Sequence, residues 1–473
     1  MPPAIGFACA LLAACTGLAA CTSAGPSLTS RSGPQSPTSP RPSPIDLSGK
    51  PNILIILTDD ERLHGGLEML PAVRKWFGRD GTTFTDPFAT TPLCCPSRAA
   101  LLTGMYAHNT HVISNSQDLP TLQAVQSFTM EHSLYDAGYR TGIFGKYFNG
   151  WPNDQNPAYF DRWALTPLVT YGGAEWNVEG TTETVNTYST TFVRQQADSF
   201  LTENQTQGAR PWFLYLAPMA PHMPATPEPK FANAPVPPLI MDPAMTEQDR
   251  SDKPPYVQRR SLRSRSTIER RRATMLRSLL SVNRLVSSVM GRLKAQGELD
   301  NTIAFFASDN GYMWGEHGVF GKSAPYLPSN QVPLFMRWPG HVAAGAIDTR
   351  IVALLDIAPT VLDAARLPRP HPMDGIDLLD ANLTRRDLLL EFWKYGHFRT
   401  PSWTAILTKR YEYIEYTDEQ GNVTFREYYD IAKDPYQLDN LLGDHVTSND
   451  PDVAALSAKL AKLQTCAGAS CPK

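Results

Sequence analysis

The chain carries little charge and almost no net charge: charged residues are 19% of its 473 residues, and 43 Lys and Arg against 46 Asp and Glu leave a formal net charge of −3. A molecule without a global field does not gather nucleic acid or an acidic membrane, so any anion binding must be local. Cysteine is missing from residues 22–93 and 96–465, which excludes a disulfide framework as the scaffold of the body. Nothing in the composition suggests wholesale disorder, since 42% hydrophobic and 10% aromatic residues are the proportions of an ordinary globular protein. The length asks for one large α/β domain or two unequal ones, and two unequal domains is the expectation.

No Lys or Arg precedes Arg31, yet residues 4–21 are otherwise an export signal in length and composition, too short and Ala-rich for a membrane span. A basic start upstream of Met1 would complete it. Leu18-Ala19-Ala20-Cys21 fits the bacterial lipoprotein pattern, in which cleavage precedes a lipid-bearing cysteine, and Leu12-Ala13-Ala14-Cys15 fits it too. An ordinary cleaved signal with incidental cysteines is the alternative. Residues 22–50, rich in Ser, Pro and Thr, cannot bury a core and read as a tether. The expected organisation is therefore a signal peptide of lipoprotein type (1–21), a linker (22–50), a catalytic domain (51–378) and a C-terminal α+β subdomain (379–473). The protein is expected outside the cell, lipid-anchored on the outer face of a bacterial membrane or secreted, with no other membrane contact. Cys466 and Cys471 could close a small loop in such an oxidising place, or remain thiols.

Two apolar runs end in acids. Asn52 to Leu57 and Thr302 to Ala307 have the continuous hydrophobicity of parallel strands buried on both faces. The first stops at Asp59-Asp60, the second at Asp309-Asn310. Ligands of open α/β sheets lie beyond the carboxyl ends of the strands, so these ends could face one another across a cleft. Taken singly, such acids are more often turn or cap residues. Together they are hard oxygen donors, which suit Ca2+ first and Mg2+ second.

Between the strands lies Cys94-Cys95-Pro96-Ser97-Arg98-Ala99-Ala100-Leu101-Leu102-Thr103-Gly104, which resembles the signature of the type I sulfatases. The resemblance implies an alkaline-phosphatase-like α/β fold with a large, mostly parallel sheet flanked by helices and a smaller C-terminal antiparallel sheet with a helix. It also implies that a formylglycine-generating enzyme, as maturation partner, converts Cys94 to formylglycine. In the family one hydroxyl of the hydrated aldehyde, activated by the metal, attacks sulfur and expels the alcohol, and the second lets sulfate go as the aldehyde reforms. Cys94 would then join Asp59, Asp60, Asp309 and Asn310 as a metal ligand, with Arg98 directed at the metal or the sulfated intermediate. Gly145-Lys146 resembles the family's sulfate-holding lysine motif. Ala220-Pro221-His222-Met223-Pro224 resembles the segment whose His donates a proton to the leaving alcohol. Gly315-Glu316-His317-Gly318 with Gly321-Lys322 resembles the segment bearing a second sulfate-binding lysine. Lys146, His222, Lys322 and His317 are thus the expected substrate contacts, and Leu355 to Thr360 a structural marker.

One position departs from that pattern. Many sulfatases have a His two residues after the motif lysine to take the diol proton, and here it is Phe148; His111, Asn149 or a water would have to serve. The segments around Lys146, Cys94 and 279–282 are most similar to the N-acetylglucosamine-6-sulfatase and heparan-type branch, which implies a sulfated sugar substrate, with aryl sulfates the other option. Residues 259–272 carry seven arginines around one glutamate, either a solvated face or a patch for a sulfated polysaccharide. Short strand-like runs at 388–392, 403–407, 411–416 and 426–430, then a helix from about 452 to 463, outline the C-terminal part. Two other readings stay open: a phosphonate or phosphate monoester hydrolase, and a non-catalytic lipoprotein that binds sulfated glycans.

Overall fold

The run Asn52–Thr58 is apolar on both faces and forms a fully buried strand, β1. The computed structural model describes residues 47–472 except 168, 209 and 397, so the proposed signal, lipidation cysteines and most of the linker lie outside the described residues. In chain order the strands are β2 (Thr82–Phe88), β3 (Arg140–Gly145), β4 (Arg162–Leu165), β5 (Ala174–Val178), β6 (Thr181–Val185), β7 (Trp212–Ala217), β8 (Thr302–Ser308), β9 (Met313–Trp314), β10 (Phe320–Gly321), β11 (Leu334–Arg337), β12 (Ala346–Ala353), β13 (Leu388–Phe392), β14 (Ser402–Leu407), β15 (Glu412–Thr417) and β16 (Val423–Tyr429). Ten of them make one sheet in the order β12-β2-β11-β8-β1-β7-β3-β4-β5-β6. Its centre, β8-β1-β7-β3-β4, is parallel, and β12 runs parallel to β2. The antiparallel exceptions are β11, set between β8 and β2, and the edge pair β5 and β6. The expected fold class is the observed one.

Because successive strand side chains point to opposite faces, the apolar runs supply two cores at once. Ile53, Ile55, Leu57, Phe213, Tyr215, Ile303 and Phe305 face one layer with the helices α1 (Cys94–Thr103) and, further along, Ile357–Ala364. Leu54, Ile56, Leu214, Leu216, Ala304 and Phe306 face the other, against the helices α2 (Ser189–Thr206) and α3 (Arg265–Gln296). Each fully buried Ile, Leu or Phe contributes about 1.5–3 kcal/mol. The second sheet, β13-β14-β15-β16, is antiparallel throughout, with a helix at Val453–Leu463. A third core joins it to the first sheet through Phe88, Leu93, Tyr326 and Leu355 on one side and Leu389, Trp403 and Tyr429 on the other. Cys466 and Cys471 form a disulfide.

β1 pairs with β8 residue for residue, from Asn52 opposite Thr302 to Thr58 opposite Ser308. That register sets Asp59 and Asp60 beside Asp309 and Asn310 at the same end of the sheet.

Candidate active site

Six segments converge at the carboxyl ends of the parallel strands. Helix α1 starts at Cys94 after an extended Leu93, and Pro96 falls in the first turn, where its missing N–H leaves no bond unmade. The start of α1 therefore aims Cys94 at the strand ends. Its Sγ lies 3.6 Å from Asp59 Oδ1 and 2.8 Å from Lys322 Nζ. Lys146 follows β3, whose last residue, Gly145, has φ +116°; a Cβ there would meet the Ala217 carbonyl oxygen at 2.0 Å. Only glycine lets β3 end so close to β7, with Lys146 N–H donating to Ala217 O at 2.9 Å. Lys146 Nζ donates to Asp59 Oδ2 at 2.5 Å. His222 comes from the loop after β7, tied to β1 by Asp59 N–H donating to Ala220 O, and its Nε2 lies 3.6 Å from Asp60 Oδ2.

The acids are held from behind. Arg98, one helical turn beyond Cys94, is completely buried; its Nε donates to Asp309 Oδ2 at 2.9 Å and its Nη1 to Lys146 O at 2.7 Å. Its Nη2 is 3.6 Å from Asp59 Oδ2, short of a hydrogen bond. Asp309 also accepts from Asp60 N–H at 3.2 Å, and Asn310 Nδ2 donates to Asp60 Oδ1 at 2.7 Å. Burial opposes ionisation of Asp59, but Lys146, His222, Arg98 and Lys322 outweigh it and hold its carboxyl far below the usual range. Asp309 is displaced upward by burial and by Asp59, against Arg98 and the lysines. Burial works against the charges of Lys146 and Lys322, yet Asp59 and Asp60 keep both above the usual lysine range. Burial and Asp59 push the Cys94 thiol up to about 12, so the unmodified side chain is a neutral, weak nucleophile at ordinary pH.

Four of these side chains could hold a metal ion between them. Asp59, Asp60, Cys94 and His222 each bring a ligand atom within 4.8 Å of the others. Lys322 Nζ donates to Asp60 Oδ1 and, at 3.2 Å, to Asn310 Oδ1, so an ammonium already draws on oxygens that a cation would take. Asp309, with both oxygens engaged by Arg98 and Asp60 N–H, stands behind this group rather than within it.

Not every expected residue arrives. His317 is buried away from Cys94, its Nδ1 on Glu247 Oε2 at 2.6 Å and its ring 4.3 Å from Tyr326. It lines a cavity of about 480 Å³ with Arg62, Asp242, Lys409 and Tyr436, and none of the Cys94 group lines that space. Phe148 is a core side chain packed 4.3 Å from Tyr147, Asn149 is engaged by Cys95, and no described contact joins the exposed His111 to the site. Conversely, Tyr395 enters from the C-terminal sheet unannounced: burial pushes its phenol up to about 12, and Cys94 and Lys322 are among the groups that act on it. Trp393-Lys394-Tyr395 looks in sequence like any strand-end aromatic pair, so nothing marked it.

Residues 51–367 match the sulfatase family model, and residues 315–465 match that of the N-sulphoglucosamine sulphohydrolase C-terminal region. The chain belongs to the sulfatase family. This sulfatase is 32% identical to an extracellular sulfatase SULF-1 homolog of Drosophila melanogaster over 73% of its own length, and spans 32% of that relative. It is 27% identical to the N-acetylglucosamine-6-sulfatase of Capra hircus, with 90% of this chain and 85% of the relative covered. A protein solved in complex with its substrate D-glucosamine-2-N,6-O-disulfate has the same fold, with a TM-score of 0.72 and 22% identity over 88% of this chain and 97% of the other.

Proposed function

We propose that this protein hydrolyses sulfate monoesters of sugars, of the N-acetylglucosamine 6-sulfate type, through a formylglycine made from Cys94. The observation that carries the reading is the placement of Cys94 Sγ at the start of α1, 2.8 Å from Lys322 Nζ and 3.6 Å from Asp59 Oδ1. Converted and hydrated, the residue would offer one hydroxyl to take the sulfo group and another to release it. A divalent cation, Ca2+ by its oxygen preference, would supply a Lewis acid at Asp59, Asp60, Asn310 and the modified residue, with Asp309 as a further ligand or brace. Lys146 and Lys322 hold the sulfate oxygens by charge-assisted hydrogen bonds. Arg98 keeps Asp309 and the Lys146 backbone in register. His222 Nδ1 lies 2.6 Å from the Met223 carbonyl oxygen, which fixes the ring and leaves Nε2 for proton transfer to the departing alcohol. The names of the relatives support a sugar substrate and export, and the sequence reading adds a lipid anchor at Cys15 or Cys21.

The test is made on protein from its native cell. The Cys94 peptide should have lost sulfur and gained an aldehyde, and the protein should cleave p-nitrophenyl sulfate and N-acetylglucosamine 6-sulfate. An intact thiol with no turnover would identify a sulfated-glycan binder. Faster cleavage of phenyl phosphonate esters than of either sulfate would identify a phosphonate hydrolase.

A further inference from the structure

The arginine-rich tract at 259–272 divides into two kinds of side chain. Arg265 pairs with Glu269 at 2.8 Å and donates to Leu239 O, and Arg272 donates to Pro237 O at 2.6 Å; these are tied to the protein. Arg263 and Arg271 instead lie over the Phe320 ring, their guanidinium carbons 5.6 and 4.5 Å from the ring centroid. Arg271 also donates to Tyr312 OH at 3.3 Å. Arg260 stacks on Tyr256 at 5.8 Å, and its buried Nε has no hydrogen-bond partner. Among the described residues, none of these three guanidinium groups pairs with a carboxylate.

Two of the anchors lie close in the chain to residues of the site already described. Phe320 is two residues before Lys322, and Tyr312 two after Asn310, spans of about 7 Å of extended chain. A fourth arginine comes from the C-terminal sheet. Ser323, next to Lys322, meets Thr400 through their hydroxyls at 3.3 Å and accepts from Trp403 Nε1 at 2.8 Å, which pins the loop carrying Arg399 and Tyr395 alongside. Arg399 is exposed and has no carboxylate partner among the described residues. Burial lowers the Arg260 guanidinium from its ordinary value, and Arg399 and Arg263 push the same way against Tyr256. Two chain segments, 260–271 and the loop of Arg399, thus carry guanidinium groups with no carboxylate partner among the described residues. Stacking on an aromatic face also leaves the N–H edges of a guanidinium free for bidentate contact with an anion.

We propose that Arg260, Arg263, Arg271 and Arg399 form a second anion subsite beside Lys322, which receives another sulfate of the same substrate molecule, so that this protein acts on sugars carrying at least two sulfates. The proposal rests on the sulfatase reading above. Arg263 and Arg271 are held at Phe320 and Tyr312, two residues along the chain from Lys322 and Asn310, so they stand beside the site and not among the groups that hold Cys94.

The experiment compares a doubly sulfated glucosamine with N-acetylglucosamine 6-sulfate as substrates of aldehyde-bearing protein. Arg263→Ala with Arg399→Ala should lower the preference for the doubly sulfated sugar at least tenfold, through KM. Arg265→Ala, which removes the same charge from a tied position, should leave the preference within twofold. Equal losses on both substrates, or the same effect from Arg265→Ala, would overturn the subsite. If wild-type protein cleaves neither substrate, the sulfatase reading fails separately, and calorimetry of a heparin-derived tetrasaccharide on Cys94→Ala protein still decides. Binding at least tenfold weaker with Arg263 and Arg399 removed supports the subsite, and unchanged binding rejects it.

Discussion

His222 and Asp309 separate two kinds of contribution at the level of single side chains. His222 is half-buried and lies 3.6 Å from Asp60, beyond hydrogen-bond reach, so its removal should act on chemistry more than on folding. His222→Ala should lower kcat on an alkyl sulfate about 100-fold or more but on p-nitrophenyl sulfate less than about tenfold, because nitrophenolate leaves without a proton. Equal losses on the two esters would count against a proton donor. Asp309 is the ionic partner of a fully buried arginine, with Nε of Arg98 at 2.9 Å. Asp309→Ala strands that guanidinium, which typically costs about 3–5 kcal/mol, so the variant should lose turnover and urea resistance together. Normal stability with normal kinetics would remove Asp309 from the site.

Helix α1 illustrates how an element delivers a nucleophile. Its first residue is Cys94, and it stops at Gly104, where φ is +71° and the helix ends in a left-handed turn. A Cβ at Gly104 would lie 3.1 Å from the Met373 sulfur and 3.2 Å from Pro359 Cδ. Gly104→Ala should therefore destabilise the protein by about 1–2 kcal/mol from backbone strain alone, read as a lower urea midpoint. An unchanged midpoint would mean that α1 can end elsewhere. The strands behave as elements too: β1 and β8 reach the site only because seven consecutive pairs lock their register. A slip of one residue would turn Asp59 and Asp309 to opposite faces.

Across the whole molecule, the two sheets are coupled by a group that titrates. His108, just beyond α1, contacts Glu391 of β13 at 2.9 Å and the Cys466 carbonyl at 2.9 Å. Burial opposes its charge, but Glu391 raises the imidazole above its ordinary value. The folded state thus favours protonated His108: its contribution is complete below the ordinary imidazole range and fades as pH rises through the raised value. The gap in Tm between wild type and His108→Ala should be larger at pH 5.5 than at pH 9, and a gap that widens with pH would contradict this. Chelation is the second global test. Removing divalent cations should lower Tm and abolish turnover, with Ca2+ restoring both at lower concentration than Mg2+. A Tm indifferent to Ca2+ at saturation would speak against the cation site.

What the sequence determined by itself was local or periodic. Continuous apolar runs identified β1 and β8 and hence the acids at their ends, because strand hydrophobicity is written residue by residue. The Cys94 motif was legible for the same reason, its parts lying within a single helix of about three turns. The strand-like runs near 388, 403, 411 and 426 likewise became the second sheet with small changes of boundary. Only the tertiary structure decided contacts between residues distant in the chain. It turned His317 toward Glu247, made Phe148 a core side chain, and brought Tyr395 and Arg399 from the C-terminal sheet to the segment of Lys322. Like-looking arginines at 263 and 265 were sorted by the same cause: their surroundings come from other segments, and no local pattern encodes which acceptor will be waiting there.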